Sequence, residues 1–119
     1  MQYLLLIFNQ ENDWLNATAR QKEQIMHAHA ALQEELRKTG KYKYCGGLAG
    51  ASAATCVRAK GGVFTVTDGP FAETREQVGG YYVVDSKDLN DAIGLAKKIP
   101  MIFDGMAVEI RQVLSTPND

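Results

Sequence analysis

Thr67-Asp68-Gly69-Pro70-Phe71-Ala72-Glu73-Thr74-Arg75-Glu76 places an acid, a rigid turn, an aromatic ring and an acid/base/acid cluster within one short stretch. A turn aspartate commonly spends its carboxylate on the backbone N–H two residues on. Here that residue is Pro70, which has no N–H. Asp68 is therefore free to reach Phe71 N–H, a cation or a ligand. Beside an apolar cavity, burial would raise its pKa and Arg75 would lower it, the tuning that a catalytic acid or base needs. The plainer reading is that Asp68 fixes its own loop by accepting Phe71 N–H and pairing with Arg75. Arg75 could clamp a substrate carboxylate with both arms of its guanidinium, or bridge Glu73 and Glu76 as scaffolding.

His29 is the other residue whose type suits proton transfer, since a neutral imidazole can partner a carboxylate. It lies in the middle of an apolar helical stripe, where a core histidine with one satisfied N–H is the alternative. His27 falls on the polar side of the same helix. Phe71, Tyr81 and Tyr82 could wall a flat ligand or simply pack in the core; as strand neighbours, Tyr81 and Tyr82 must point to opposite sheet faces. With Glu73 and Glu76 they make the candidate substrate-binding set.

Other chemistries find no support in the spacing. Gly46-Gly47, Gly61-Gly62 and Gly79-Gly80 lack the arrangement of a phosphate loop, although Gly79-Gly80 within a strand suggests a bulge or a close backbone approach. Cys45, Cys56, His27 and His29 do not have structural-metal spacing, so neither metal nor cofactor is expected. If residues 43–58 fold back on themselves, the two cysteines face each other across a hairpin as buried thiols, the form expected in a reducing compartment. A net charge of −1 gives no basic field for nucleic acid and no polybasic membrane patch. The longest apolar run, Leu4 to Phe8, is too short to cross a bilayer. With no basic leader ahead of it, a cytoplasmic protein is expected.

These residues need elements to position them. A chain of 119 residues has room for one core, assigned to residues 1–114, with 115–119 as a loose tail. Gln2–Phe8 reads as a strand ended by the polar cluster Asn9–Asp13. Thr18, Gln21, Ile25, Ala28, His29, Leu32 and Leu36 recur at steps of three and four, a helix over Thr18–Thr39 stopped by Gly40. Lys43–Leu48 and Ala53–Lys60 read as strands joined by a small-residue turn. Val63–Thr67 and Val78–Val84 are further strands. Asp85-Ser86 would cap a helix carrying Leu89, Ala92, Ile93, Ala96 and Ile99 inward, ended at Pro100, and Ala107–Val113 closes the set. This is the order of an α+β, ferredoxin-like βαββαβ domain with an extra central hairpin.

Two helices cover one face of such a sheet. Yet Tyr3-Leu4-Leu5-Leu6-Ile7-Phe8 and Tyr81-Tyr82-Val83-Val84 are apolar at successive positions, hence on both faces. A second copy is the simplest cover for the other face, giving a homodimer.

The Thr67–Glu76 motif, followed by Gly79-Gly80-Tyr81, resembles the signature of the YCII-related family in its Asp-Gly-Pro-Phe (DGPF) branch. Gln2–Ile7, Gly47-Leu48, Ser52–Arg58 and Val108–Arg111 are similar to that branch's first strand, central hairpin and last strand. The resemblance spans essentially the whole chain and implies pairing as a dimeric α/β barrel. Relatives in that superfamily include cofactor-independent isomerases, dehalogenase-like proteins and monooxygenases acting on small cyclic or aromatic compounds; others accompany alternative sigma factors. It leaves two functions open: binding a small organic molecule at the sheet or dimer interface with acid–base chemistry at Asp68, or a non-catalytic, sigma-factor-associated module whose loop is structural. Gly50-Ala51 stands where members often carry prolines, and Met101–Met106 is more apolar than usual. Asp68→Asn separates the readings. A catalytic Asp68 predicts lost turnover or ligand affinity with an unchanged melting temperature. A loop-fixing, buried pair predicts a loss of about 3–5 kcal/mol of stability.

Overall fold

The computed structural model describes residues 1–114; the tail expected over 115–119 lies outside the described residues. The elements run β1 (Gln2–Gln10), α1 (Glu11–Leu15), α2 (Ala19–Lys38), β2 (Tyr42–Gly47), β3 (Thr55–Lys60), β4 (Val63–Asp68), β5 (Glu76–Asp85), α3 (Leu89–Ala96) and β6 (Ala107–Gln112). The fold is α+β. Four strands form one sheet in the order β2-β5-β1-β6, every neighbour antiparallel, and β3 with β4 forms a separate two-stranded arm.

α2 has a start and a stop set by its sequence. Thr18 Oγ1 accepts the Gln21 N–H at 3.1 Å while Gln21 Oε1 accepts the Thr18 N–H at 2.9 Å, a reciprocal capping box. At the other end Gly40 takes a positive φ of 72°. Gly40 N–H then reaches Arg37 O and Lys41 N–H reaches Leu36 O, the Schellman arrangement that satisfies the last carbonyls.

The core lies on one face of the sheet. Tyr3, Leu5 and Ile7 of β1 alternate inward, with Tyr82 and Val84 beside them on β5. Leu32 and Leu36 of α2, and Ala92, Leu95 and Ala96 of α3 with Ile99 beyond it, close over them. On the opposite face Leu4, Leu6, Phe8, Tyr81 and Val83 remain only half-buried, and Tyr44 is 60% exposed. The molecule is correspondingly thin, 47 × 43 × 19 Å.

Several expectations are corrected. β2 and β3 do not pair: β2 hydrogen-bonds β5 and β3 hydrogen-bonds β4. Cys45 and Cys56 thus sit in different sheets, both as half-buried free thiols. Because β5 continues to Asp85 to pair with Gln2, no helix can begin there. Asp85 instead accepts the Met1 amino group at 3.0 Å, and Asp88 caps α3 by accepting the Asp91 N–H at 2.8 Å. Leu89 is consequently exposed, and Leu95 points inward. The polar Asn9–Asp13 segment, read as a break, contains the start of α1. The Gly79-Gly80 reading holds: Ile7 pairs with Gly80 and Phe8 with Val78, leaving Gly79 as the extra residue of a bulge.

Leu36 is 2% exposed where α2 meets the sheet. Leu36→Ala is expected to cost about 2–5 kcal/mol in urea denaturation, since the removed methyl groups leave a cavity that a sheet-backed site cannot collapse.

Candidate functional site

A cavity of about 390 Å³ opens between the inner face of the sheet, α1, α2 and the segment leading into β6. It exists because the strands lose their side chains there. β2 ends in Gly46-Gly47, and the facing stretch of β5 carries Gly79-Gly80. Gly80 has little room for a side chain, since a Cβ would lie 3.0 Å from the Gly46 carbonyl oxygen. Gly47 is different: a Cβ there would meet no atom within 4 Å. Strand alternation puts that empty direction on the same side as Cys45, which also lines the cavity. Ile25 and Met26 of α2, Trp14 of α1, and Ile102, Phe103 and Met106 complete walls that are mostly apolar.

His29 of α2 and Tyr82 of β5 are the polar pair of this space. His29 Nδ1 lies 2.7 Å from the Tyr82 hydroxyl, and the rings stack with centroids 5.8 Å apart and planes 20° apart. Burial lowers the His29 pKa below its ordinary 6.5, so the ring is neutral near pH 7. Burial also pushes the Tyr82 phenol up to about 12, so the phenol stays protonated. A neutral hydroxyl can give or accept a proton toward Nδ1. Nε2 can therefore present either a lone pair or an N–H to a ligand. Alongside, the Tyr42 hydroxyl lies 3.4 Å from Cys45 Sγ.

The structure brings His29 and Tyr82 together and leaves the other sequence candidates outside this cavity. Asp68 ends β4 opposite Thr55 and is exposed. Gly69, at a φ of 100°, turns the chain, and Gln77 Nε2 ties the loop by donating to Ala72 O and Thr74 O at 2.9 and 2.8 Å. No ion pair joins Arg75 to Asp68, Glu73 or Glu76 among the described residues. Phe71 is 77% exposed, with the Arg58 guanidinium 5.0 Å from its ring centre. Glu73 and Arg75 line a separate, open groove with Gln10 and Ser52, and Glu76 is exposed opposite Gln10 at the start of β5. Tyr81 lies on the other sheet face, stacked on Tyr44 at 6.1 Å.

Sequence reasoning missed Glu11, Trp14, Gln33, Cys45 and Gly47, all of which line the cavity. The one available signal was the pair of Gly-Gly steps within strands. No three His, Cys, Asp or Glu side chains cluster as a metal-ligand set among the described residues, and no helix there is long and apolar enough to cross a membrane.

The model of the YCII-related domain matches residues 1–116 of this chain. An uncharacterized protein of Rhizobium meliloti (strain 1021) is 32% identical over 99 residues, covering 83% of this chain and 80% of that protein.

The lowered His29 pKa has a defined effect on stability. Below 6.5 the unfolded chain takes up a proton that the folded ring resists, so stability is full above that value and falls as pH drops toward the folded pKa. Unfolding free energy should therefore decrease as pH falls below 6.5, and decrease less in His29→Gln. Equal losses in both proteins would place the pH dependence elsewhere.

Proposed function

The chain belongs to the YCII-related family, and we propose that it binds a small organic molecule in the cavity beside His29, with His29 as the group that hydrogen-bonds or exchanges a proton with it. The observation that carries this reading is a mostly apolar space of about 390 Å³ holding a neutral imidazole whose second nitrogen is already fixed by Tyr82. Its size and lining are those of small-molecule sites. In this reading Asp68 and Arg75 belong to the base of the arm, and proton transfer falls to His29.

The strand order β2-β5-β1-β6 supports a ferredoxin-like arrangement, and two surfaces support its pairing as a homodimeric barrel. The first is the half-covered outer sheet face. The second is one side of the arm, where Val57 pairs with Val66 and Ala59 with Phe64; Val57, Val66 and Phe64 are 66%, 67% and 73% exposed. A two-stranded hairpin is marginal alone, and a second copy would bury both surfaces. The same exposed arm favours a second reading, docking on a protein partner such as a sigma factor.

Gly47→Val tests the cavity reading. The added side chain fills vacant space on an edge strand, so the fold is retained while the ligand is displaced. Wild-type protein should bind small aromatic alcohols with a change in the emission of Trp14, the only tryptophan. Gly47→Val should melt within a few degrees of wild type and show no such change. Binding that persists in the filled variant overturns the reading. Light scattering should give twice the chain mass, and a monomer at micromolar concentration would remove the dimer.

A further inference from the structure

Among the described residues, Glu11 is the one formally charged residue lining the cavity; no Lys or Arg lines it. Ser52 Oγ donates to Glu11 Oε1 at 3.3 Å, and the same oxygen occupies the space that a Cβ at Gly50 would enter. Two cations lie close by without lining the cavity. Lys22 Nζ sits 5.4 Å from the centre of the Trp14 ring without lining the cavity, and Arg75 lines the outer groove, which Glu11 also borders. With His29 neutral, the Glu11 carboxylate brings the one formal charge among the described lining residues.

That imbalance selects among ligands. An anion would enter an apolar space against Glu11 with no counter-charge, and an unpaired charge in such surroundings is strongly disfavoured. A cation would gain a charge-assisted hydrogen bond to Glu11. The remaining walls, including Ile25, Met26 and Phe103, suit a flat apolar body.

We propose that the ligand of this site is a singly cationic organic molecule, a protonated amine on a flat apolar body, and that Glu11 is the residue that selects its charge. The proposal rests on the reading of the cavity as a ligand site.

Cinnamylamine, cinnamyl alcohol and cinnamate share one carbon skeleton and differ in charge, so calorimetric titration of each isolates the charge rule. The amine is expected to bind about tenfold tighter than the alcohol, as for one close pair in a partly screened site, and cinnamate to bind weakest. Glu11→Gln keeps the oxygen that accepts from Ser52; it should abolish the amine's advantage over the alcohol, with a circular-dichroism spectrum and melting temperature like those of wild type reporting an intact fold. Cinnamate binding as tightly as the amine, or an amine advantage that survives Glu11→Gln, overturns the charge rule while the cavity reading stands. If none of the three binds wild-type protein more tightly than Gly47→Val, both fall together.

Discussion

Leu32 and Leu36 of α2, with Leu95 and Ala96 of α3, meet Tyr3, Leu5, Tyr82 and Val84 across one face of the sheet. That contact fixes where the rest of the molecule can go. It orients α2 so that the next turn toward its N-terminus brings His29 over Tyr82, one helical step from Leu32. It also consumes the long helix and α3 on a single face. The outer face is left with side chains equally apolar in type but only half as well covered.

The cavity is the end of that packing where it runs out of side chains. Toward Leu36 and Val84 the two layers interdigitate and the space is filled. Toward His29 the strands turn to glycine and the bulge at Gly79 bends β5, so the layers stay apart. A neutral imidazole tolerates this setting because its partner is another neutral group; an ionised partner in the same place would carry a large desolvation cost. The apolar floor and the unprotonated state of His29 are thus two results of one local loss of water.

Much of the fold was legible because it depends on short-range pattern. The stripe from Thr18 to Leu36 and the Gly40 stop describe α2 almost to the residue, though not the capping box at Thr18, and apolar residues at successive strand positions mark the open face. Strand partners were less legible: the small residues between β2 and β3 look like a tight turn, but β2's inner residues fit against β5 and leave β3 to pair with β4. The candidate site was the least legible. Its residues come from α1, α2, β2, β5 and the approach to β6, and no spacing along the chain links Glu11 to His29 or Gly47. Asp68 drew notice because its chemistry and its neighbours are local; Gln77 and Gly69 turn out to hold that loop.

Among the described residues, the arm of β3 and β4 hydrogen-bonds as a sheet only to itself. Side chains alternate along each strand with a period of two. Adding or removing a matched pair of residues on each strand therefore changes the arm's reach while keeping Val57 and Phe64 on their common side. Neither the core register nor the glycine floor is disturbed by such a change. Relatives of this architecture are thus free to diverge in how far the arm extends, under selection separate from that acting on the cavity.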